Sequence, residues 1–309
     1  MKTFGKSLAV ALGAALLLAP AVSSAAEIVV KHAQGETTLP GVPSKVLVLD
    51  IPSLDTLDAL GVDVAGVPGS NLPPYLSKYA DEKYTKVGTL FEPDYEAVNA
   101  AGADLMIIGG RSAAKYPDLS GMLPTIDMTI DPAAYTDNVK ANVVKLGEVF
   151  GKQAEATELT ARLDGKLTAL KGLAADAGTA MILVTTGGKV GAYGPASRVG
   201  WLHKEMGFKP VADDIDDRFH GGDVVSFEYI LEANPDWIFV IDRDAAVGQV
   251  AEGQAAKQIL DNELVAQTNA WKNGHVVYLD PAAAYIVSSG YNAINTLVDQ
   301  VSEAVSAAK

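Results

Sequence analysis

Three of the five arginines in this chain occupy positions from which they could bind an anion. Arg111 and Arg243 each follow a short apolar run, "IIGG" and "VID", and Arg198 lies in "YGPASRVGW", beside a predicted helix amino terminus. The guanidinium group donates hydrogen bonds in a planar fork that matches paired oxygen acceptors. A helix amino terminus adds further attraction for negative charge. Each arginine alone could instead pair with a surface acid, as we expect for Arg162, four positions after Glu158 in a predicted helix.

One histidine and one tyrosine lie in irregular segments where they could bind a metal ion. His220 is part of "RFHGG", and Tyr285 is part of "LDPAAAYIVSSG". Imidazole nitrogen and phenolate oxygen together suit Fe(III), which prefers hard oxygen donors and tolerates imidazole. Two donors do not complete a metal site, so the metal would have to arrive with other ligands. Simpler interpretations remain open: His220 could be a solvated loop histidine, and Tyr285 could be a half-buried aromatic residue.

An internal repeat relates two of the arginines. The segment "YEAVNAAGADLMIIGGR" (95–111) matches "FEYILEANPDWIFVIDR" (227–243), with an aspartate eight residues and an arginine fifteen residues after a shared glutamate. Ligands of open α/β sheets bind beyond the carboxyl ends of the strands, so we expect the two arginines to face each other across a cleft. The glutamates, Glu96 and Glu228, lie at helix starts. They either complement the helix dipole or present one acid on each lobe to a partner with basic pockets.

The alternation of strands and helices predicts an α/β fold with mostly parallel sheets. Apolar runs at 104–110 and 237–242 are typical of strands that are buried on both faces. Residues 138–175 contain no proline and repeat apolar residues at helical spacing, which predicts one long helix that could kink at Gly151. We therefore predict an N-terminal α/β lobe over 27–137, a linker helix over 138–175, and a C-terminal α/β lobe with a terminal helix over 176–309.

The first 26 residues are typical of a secretory leader. Lys2 and Lys6 precede an apolar run, and the small residues in "SSAAE" predict cleavage after Ala26. The chain contains no cysteine that could carry a lipid, so we expect a free periplasmic protein rather than a lipoprotein. The formal net charge is −14, and removal of the leader's two lysines makes it more negative. This charge disfavours nucleic acid and anionic lipid as partners.

Several longer motifs resemble one protein family. "GPASRVGWLHKEMGF", "HGGDVVSFEYILEANPDWIFVIDR" and the tyrosine of "AAAYIVSSG" are similar to the class III periplasmic binding proteins of iron-siderophore ABC importers, within the enterochelin-uptake and petrobactin-binding branch. The resemblance implies two Rossmann-like lobes joined by one long α-helix, with a ligand cleft between the lobes. It implies that the three arginines named above bind anionic catecholates. It also implies that His220 and Tyr285 fill the two iron positions left by a tetradentate bis-catecholate.

The expected function is capture of a ferric catecholate siderophore and its delivery to an inner-membrane ABC permease dimer. The resemblance implies that Glu96 and Glu228 dock the two lobes on that permease, that the protein is a monomer, and that Fe(III) is carried as a siderophore complex without a permanent cofactor. Haem, cobalamin or a hexadentate siderophore is an alternative ligand. A periplasmic enzyme using His220 with Asp223 is disfavoured, because the sequence contains no nucleophile motif, metal triad or cofactor fingerprint.

Overall fold

The computed structural model describes four stretches of the chain: 27–212, 214–215, 221–249 and 254–309. The leader predicted over 1–26 and the candidate metal ligand His220 lie outside the described residues. Within these stretches the chain forms two α/β lobes with a cleft between them. No helix in the described part of the chain has both the length and the apolar character needed to cross a bilayer.

The N-terminal lobe is built on a parallel sheet. Its elements are the strands β1 (Ile28–His32), β2 (Gly35–Leu39), β3 (Val46–Val48), β4 (Gly66–Val67), β5 (Thr85–Lys86), β6 (Leu105–Ile108) and β7 (Thr125–Asp127) and the helices α1 (Ile51–Ala59), α2 (Tyr95–Ala101) and α3 (Tyr116–Ser120). The sheet order is β5-β4-β3-β6-β7, and every neighbouring pair is parallel. Strands β3 and β6 are buried throughout, as continuous apolar strands between two helical layers must be.

The segment predicted as one long helix folds as two antiparallel helices, α4 (Tyr135–Val149) and α5 (Gln153–Ala174). Gly151 has a φ of +67°, a left-handed conformation that ends α4 and reverses the chain. Lys140 on α4 reaches Asp164 on α5, with Nζ 2.8 Å from Oδ1, which confirms that the helices run side by side. The helix that leads into the C-terminal lobe is therefore α5 alone, and it begins later than the sequence predicts.

The C-terminal lobe has a mixed sheet with a parallel centre. Its strands are β8 (Thr179–Thr186), β9 (Lys189–Tyr193), β10 (Lys209–Pro210), β11 (Asp223–Val224), β12 (Trp237–Asp242) and β13 (Val276–Tyr278). The order is β11-β9-β8-β12-β13, with β10 also paired to β8. Strands β8, β10, β12 and β13 are parallel. At one edge β9 pairs antiparallel with β8, and β11 pairs antiparallel with β9. The lobe's helices are α6 (Trp201–Lys204), α7 (Phe227–Ala233), α8 (Arg243–Ala246), α9 (Gln254–Leu260), α10 (Asn269–Lys272) and α11 (Tyr291–Ala307).

The repeat seen in the sequence is a repeated structural unit. Helices α2 and α7 both end at a left-handed residue, Gly102 with φ +56° and Asn234 with φ +46°. The repeated aspartates, Asp104 and Asp236, both accept backbone N–H groups at the amino end of the neighbouring strand, at 2.8–2.9 Å. These contacts fix each helix–strand pair against its sheet, and each strand therefore delivers its arginine to the same edge of its lobe.

The terminal helix α11 connects the two lobes. It packs along α5 and α1, and its first turn meets the α1 side chains Asp55 and Thr56. The Asn292 backbone N–H donates to Oδ1 of Asp55 over 2.6 Å, so a carboxylate of the N-terminal lobe caps a helix that follows the C-terminal sheet. Gly290 precedes this helix in close contact with the Asp55 carboxyl group, and a Cβ atom there would overlap that group.

Candidate functional site

The interlobe cleft is a cavity of about 640 Å³. Its walls include Arg111 and Asp50 from the N-terminal lobe and Arg198, Arg243 and Tyr285 from the C-terminal lobe. The volume falls within the range of small-molecule binding pockets, roughly 300–1,000 Å³. The sequence expectation that the repeated arginines line one cleft agrees with this geometry, and the third arginine and the tyrosine join them.

Arg111 reaches across the cleft from the end of β6 to the opposite lobe. Its Nη1 donates to the carbonyl oxygen of Ile286 over 2.9 Å, and its Nη2 donates to that of Tyr285 over 2.7 Å. Burial lowers the pKa of Arg111, the positive charge of Arg198 lowers it further, and Asp50 opposes both effects. The guanidinium is therefore a desolvated cation that is held by neutral carbonyl oxygens, and a nearby anion would stabilise it.

Arg198 contacts the same tyrosine from a tight turn. Ser197 Oγ donates to the carbonyl oxygen of Gly194 over 2.7 Å, which fixes the turn before α6. From this turn Nη2 of Arg198 donates to the Tyr285 carbonyl oxygen over 3.1 Å, and the guanidinium carbon lies 4.8 Å from the centroid of the Tyr285 ring. A guanidinium above an aromatic face is a favourable cation–π contact. The Tyr285 carbonyl oxygen therefore accepts hydrogen bonds from two arginines at once.

Arg243 is the first residue of α8, directly after β12. The side chain of Tyr285 beside it raises the pKa of Arg243, and Asp244 adds to the effect. Its Nη1 also donates to Asp244 Oδ1 over 3.2 Å and to Gln249 Oε1 over 3.3 Å. The three arginines named from the sequence thus converge on one residue, with two at the Tyr285 carbonyl oxygen and one at its side chain.

Tyr285 is carried by a π-helical turn, Ala282–Val287, rather than by an irregular loop. The turn begins where Asp280 Oδ1 accepts the Ala283 N–H over 2.7 Å, and it ends at Ser288. Ser288 has a φ of +42°, which few non-glycine residues adopt. Single π-helical turns and residues with positive φ are both frequent at functional sites.

Asp50 is a cleft residue that the sequence analysis did not single out. It follows β3 and caps α1, accepting from the Ser53 N–H over 2.9 Å and the Ser53 Oγ–H over 2.6 Å. Burial raises the pKa of Asp50, while the bonds from Ser53 and the charge of Arg111 lower it. A signal was present in "VLVLD", where an aspartate directly follows a buried strand and precedes a helix. Asp50 gives Arg111 its one carboxylate neighbour among the described cleft-lining residues.

The two predicted metal ligands have different outcomes. Tyr285 lines the cleft, whereas His220 lies outside the described residues. Among the residues that the structure describes, no group of three or more histidine, aspartate or glutamate side chains could hold a metal ion. The described wall of the cleft therefore offers a phenol and three cations, a donor set suited to an anionic complex that brings its own metal ligands.

The two predicted docking acids lie away from the cleft wall. Glu96 and Glu228 occupy the first turns of α2 and α7, and both are exposed. The backbone N–H of Glu228 and the side chain of Ser226 lower the pKa of Glu228. Each lobe therefore presents an exposed carboxylate at the same position of the repeated unit.

Comparisons with known proteins identify relatives over most of the chain. A family model described as "Periplasmic binding protein" matches residues 46–283. The chain is 38% identical over 282 residues to the petrobactin-binding protein YclQ of Bacillus subtilis, covering 90% of this chain and 88% of the relative. It is 33% identical over 282 residues to the ferric-anguibactin-binding protein FatB of Vibrio anguillarum, covering 89% and 86%.

Solved structures give the same family relationship. The crystal structure of YclQ matches with a TM-score of 0.85, covering 91% of this chain and 99% of that one. The catecholate-siderophore binding protein VctP of Vibrio cholerae matches at 32% identity with a TM-score of 0.84, covering 89% and 99%. These matches confirm the predicted resemblance and the prediction of a binding protein rather than an enzyme. The chain belongs to the family of periplasmic binding proteins.

Proposed function

We propose that this chain is the siderophore-binding component of an ABC importer and that its cargo is a ferric catecholate complex. The observation that carries the proposal is the convergence of Arg111, Arg198 and Arg243 on Tyr285 in the interlobe cleft. Relatives that bind petrobactin, anguibactin and a catecholate siderophore support the same class of ligand.

The charge of the cleft fits an anionic, oxygen-rich ligand. A ferric bis-catecholate carries negative charge on oxygens that can accept forked hydrogen bonds. Arg111 and Arg198 now donate to neutral backbone carbonyl oxygens, and hydrogen bonds to anionic oxygens are roughly twice as strong as neutral ones. A cargo of this kind would therefore compete effectively for the two guanidinium groups, in a protein whose overall charge is strongly negative.

Tyr285 is proposed to coordinate the iron of the cargo directly. Arg243 lies beside its side chain, and the phenol forms part of the described cleft wall, where a bound cargo could reach it. His220 is proposed as the second protein donor, on the strength of the family resemblance alone. Two protein donors would complete six-coordination around a tetradentate siderophore and would disfavour a hexadentate one.

The remaining proposals concern location and partners. Residues 1–26 are proposed to be a cleaved secretory leader, which would release a monomeric protein without a lipid anchor into the periplasm. Glu96 and Glu228, exposed on matched helices, are proposed to contact basic pockets on a permease dimer. One acid on each lobe would let the permease contact both lobes at once.

The function is tested by titrating the mature protein with a synthetic ferric bis-catecholate while following tryptophan fluorescence and the visible charge-transfer band. Arg111→Ala, Arg198→Ala and Arg243→Ala are each expected to weaken binding by about 10- to 100-fold, because each leaves a ligand oxygen without its charged donor. Arg162→Ala is the matched control, since Arg162 is exposed on α5 and pairs with Glu158.

Two results would overturn the proposal. In the first, the wild-type protein fails to bind the ferric bis-catecholate but binds haem, cobalamin or a hexadentate complex. In the second, it binds the bis-catecholate, and the three arginine variants bind as tightly as the Arg162→Ala control. Metal-free bis-catecholate, titrated in parallel, measures how much of the affinity depends on iron.

A further inference from the structure

Tyr135 forms part of the cleft wall and has a fixed orientation. It is the first residue of α4, and only 4% of it is exposed. Its ring stacks on Trp201, with the centroids 5.1 Å apart and the planes within 5° of parallel. Because the ring is stacked on one face and the residue is almost fully buried, the ring has little freedom to rotate. The position of the hydroxyl group is therefore set by the fold.

Among the residues that the structure describes, no group meets hydrogen-bond geometry with the buried hydroxyl group of Tyr135. Buried hydroxyl groups usually have partners, because a lost hydrogen bond to water is otherwise not replaced. Burial raises the pKa of Tyr135, with Arg198 and Ser288 beside it acting in the opposite direction. The residue is therefore a neutral phenol, able to donate. The Ser288 side chain is close enough to affect its pKa, but the two hydroxyl groups do not meet the geometry of a hydrogen bond.

Ser288 has an independent anomaly at the same place. It lines the cleft beside Tyr285 and ends the π-helical turn with φ +42° and ψ −86°. A serine in this conformation is strained, and strain of this kind is retained where the surrounding structure or function requires it. The unpartnered phenol and the strained serine are thus neighbours on one wall of the cleft, outside the group of three arginines.

We infer that Tyr135 and Ser288 form an additional binding element for a ligand oxygen. A small shift of the Ser288 side chain lets Tyr135 Oη–H donate to Ser288 Oγ, and the Ser288 hydroxyl then donates into the cleft. The acceptor is a catecholate, carboxylate or carbonyl oxygen of the cargo. Ser288 contacts the ligand, and Tyr135 is a positioning residue that orients the serine. The inference rests on the proposed function, because it assumes that a siderophore occupies this cleft.

A double-mutant cycle tests the inference. Tyr135→Phe, Ser288→Ala and the double variant are titrated with ferric bis-catecholate, and the midpoint of thermal unfolding is recorded for each. Each single variant is expected to bind about 3- to 10-fold more weakly than wild type. The double variant is expected to bind little more weakly than either single variant, because one hydrogen-bond chain is lost in all three.

The stability measurement separates this role from a structural one. Tyr135→Phe removes an unpartnered buried hydroxyl, so its unfolding midpoint is expected to equal or exceed that of wild type while its affinity falls. Tyr291→Phe is the matched control. Tyr291 is 3% exposed, and its hydroxyl also meets no hydrogen-bond geometry with the described residues, but it lies on α11 and does not line the cleft. That variant is expected to keep wild-type affinity.

The inference and the proposed function fail in different ways. If the wild-type protein does not bind the bis-catecholate, the proposed function is wrong and the inference falls with it. If wild type binds and Tyr135→Phe binds equally well, only the inference is overturned. If Tyr135→Phe is unexpectedly unstable, the double variant still tests the inference. A loss of affinity from Ser288→Ala that is as large in the Tyr135→Phe background as in the wild type would show that the two hydroxyl groups act separately.

Discussion

Arg198 contacts Tyr285 at two points. Its guanidinium carbon lies 4.8 Å from the centroid of the tyrosine ring, and its Nη2 donates to the carbonyl oxygen of the same residue over 3.1 Å. Both contacts are made within the protein, so the phenol is already oriented before a cargo arrives. Preorganisation of this kind lowers the entropic cost of binding.

Tyr285→Phe is expected to keep the contacts with Arg198 and to lose the hydroxyl that lies beside Arg243. We expect affinity for ferric bis-catecholate to fall by about 10-fold or more, because the variant lacks one donor to the cargo's iron. The visible absorption band of the cargo should also shift less on binding. Tyr229→Phe is the control, since that tyrosine donates to Asp214 outside the cleft. Equal affinities and spectra for the two variants would exclude coordination by Tyr285.

Glu96→Ala combined with Glu228→Ala is expected to impair transport without affecting ligand capture. Both side chains are exposed and neither lines the cleft, so the affinity for ferric bis-catecholate should match wild type. Uptake into cells or proteoliposomes that contain the cognate permease should fall by about 10-fold or more, because a charge contact is lost on each lobe. Glu232→Ala, on the exposed surface of α7, is the control. The docking role is wrong if the double variant supports uptake as well as this control does.

Asp55 is expected to make stability depend on pH. Burial raises its pKa to about 7, although hydrogen bonds from Tyr75 and from the first turn of α11 favour the charged form. In the unfolded chain an aspartate titrates near pH 4. Between these values the folded state holds a proton that the unfolded state has lost, so the free energy of unfolding falls as pH rises from about 4 to about 7. The loss attributable to this group is at most roughly 4 kcal/mol.

Urea unfolding of the wild type and of Asp55→Asn across this pH interval measures the effect. Asparagine can still accept from the Asn292 backbone N–H but carries no charge to desolvate, so the pH-dependent loss should be smaller in the variant. Below pH 4 the aspartate is protonated in both states, and the difference between the two proteins should then be constant. Parallel stability curves from pH 4 to pH 7 would show that Asp55 titrates normally.

Gly290→Ala is expected to destabilise the protein by about 1–3 kcal/mol, because the added methyl group would overlap the Asp55 carboxyl group. The control is Gly165→Ala on the exposed face of α5, where a Cβ atom meets nothing within 4 Å. That change should stabilise the protein by about 0.5–1 kcal/mol through helix propensity. Both values come from the same denaturant titration, and similar effects at the two sites would contradict the close contact between α11 and α1.

The sequence predicts the parallel core and the convergence of the arginines well, because both depend on local signals. Continuous apolar runs identify the buried strands β6 and β12, and the matched spacing after Glu96 and Glu228 places an arginine after each. The carboxyl ends of parallel strands lie along one edge of a sheet. The repeated spacing therefore places the two arginines at equivalent edges of the two lobes. The predicted terminal helix is also present, at Tyr291–Ala307.

The features that the sequence does not predict arise from contacts between distant segments. Apolar spacing continues across Gly151, so periodicity alone cannot distinguish a kinked helix from two antiparallel ones. The cleft position of Tyr135 depends on a stack with Trp201, sixty-six residues later in the chain. The π-helical turn beneath Tyr285 has no local signature in "AAAYIV", and its carbonyl oxygens accept hydrogen bonds from the distant residues Arg111 and Arg198.

The attachment of α11 to α1 has a mechanical consequence. The chain passes from the N-terminal to the C-terminal lobe through α5, and α11 returns to contact the N-terminal lobe at Asp55 and Thr56. These two adjacent helices together should resist bending and twisting of the lobes. We expect this pair of helices to limit how far the two lobes can separate. Under the proposed function, release of the cargo would then depend on the nucleotide-driven cycle of the transporter rather than on a wide opening of the receptor.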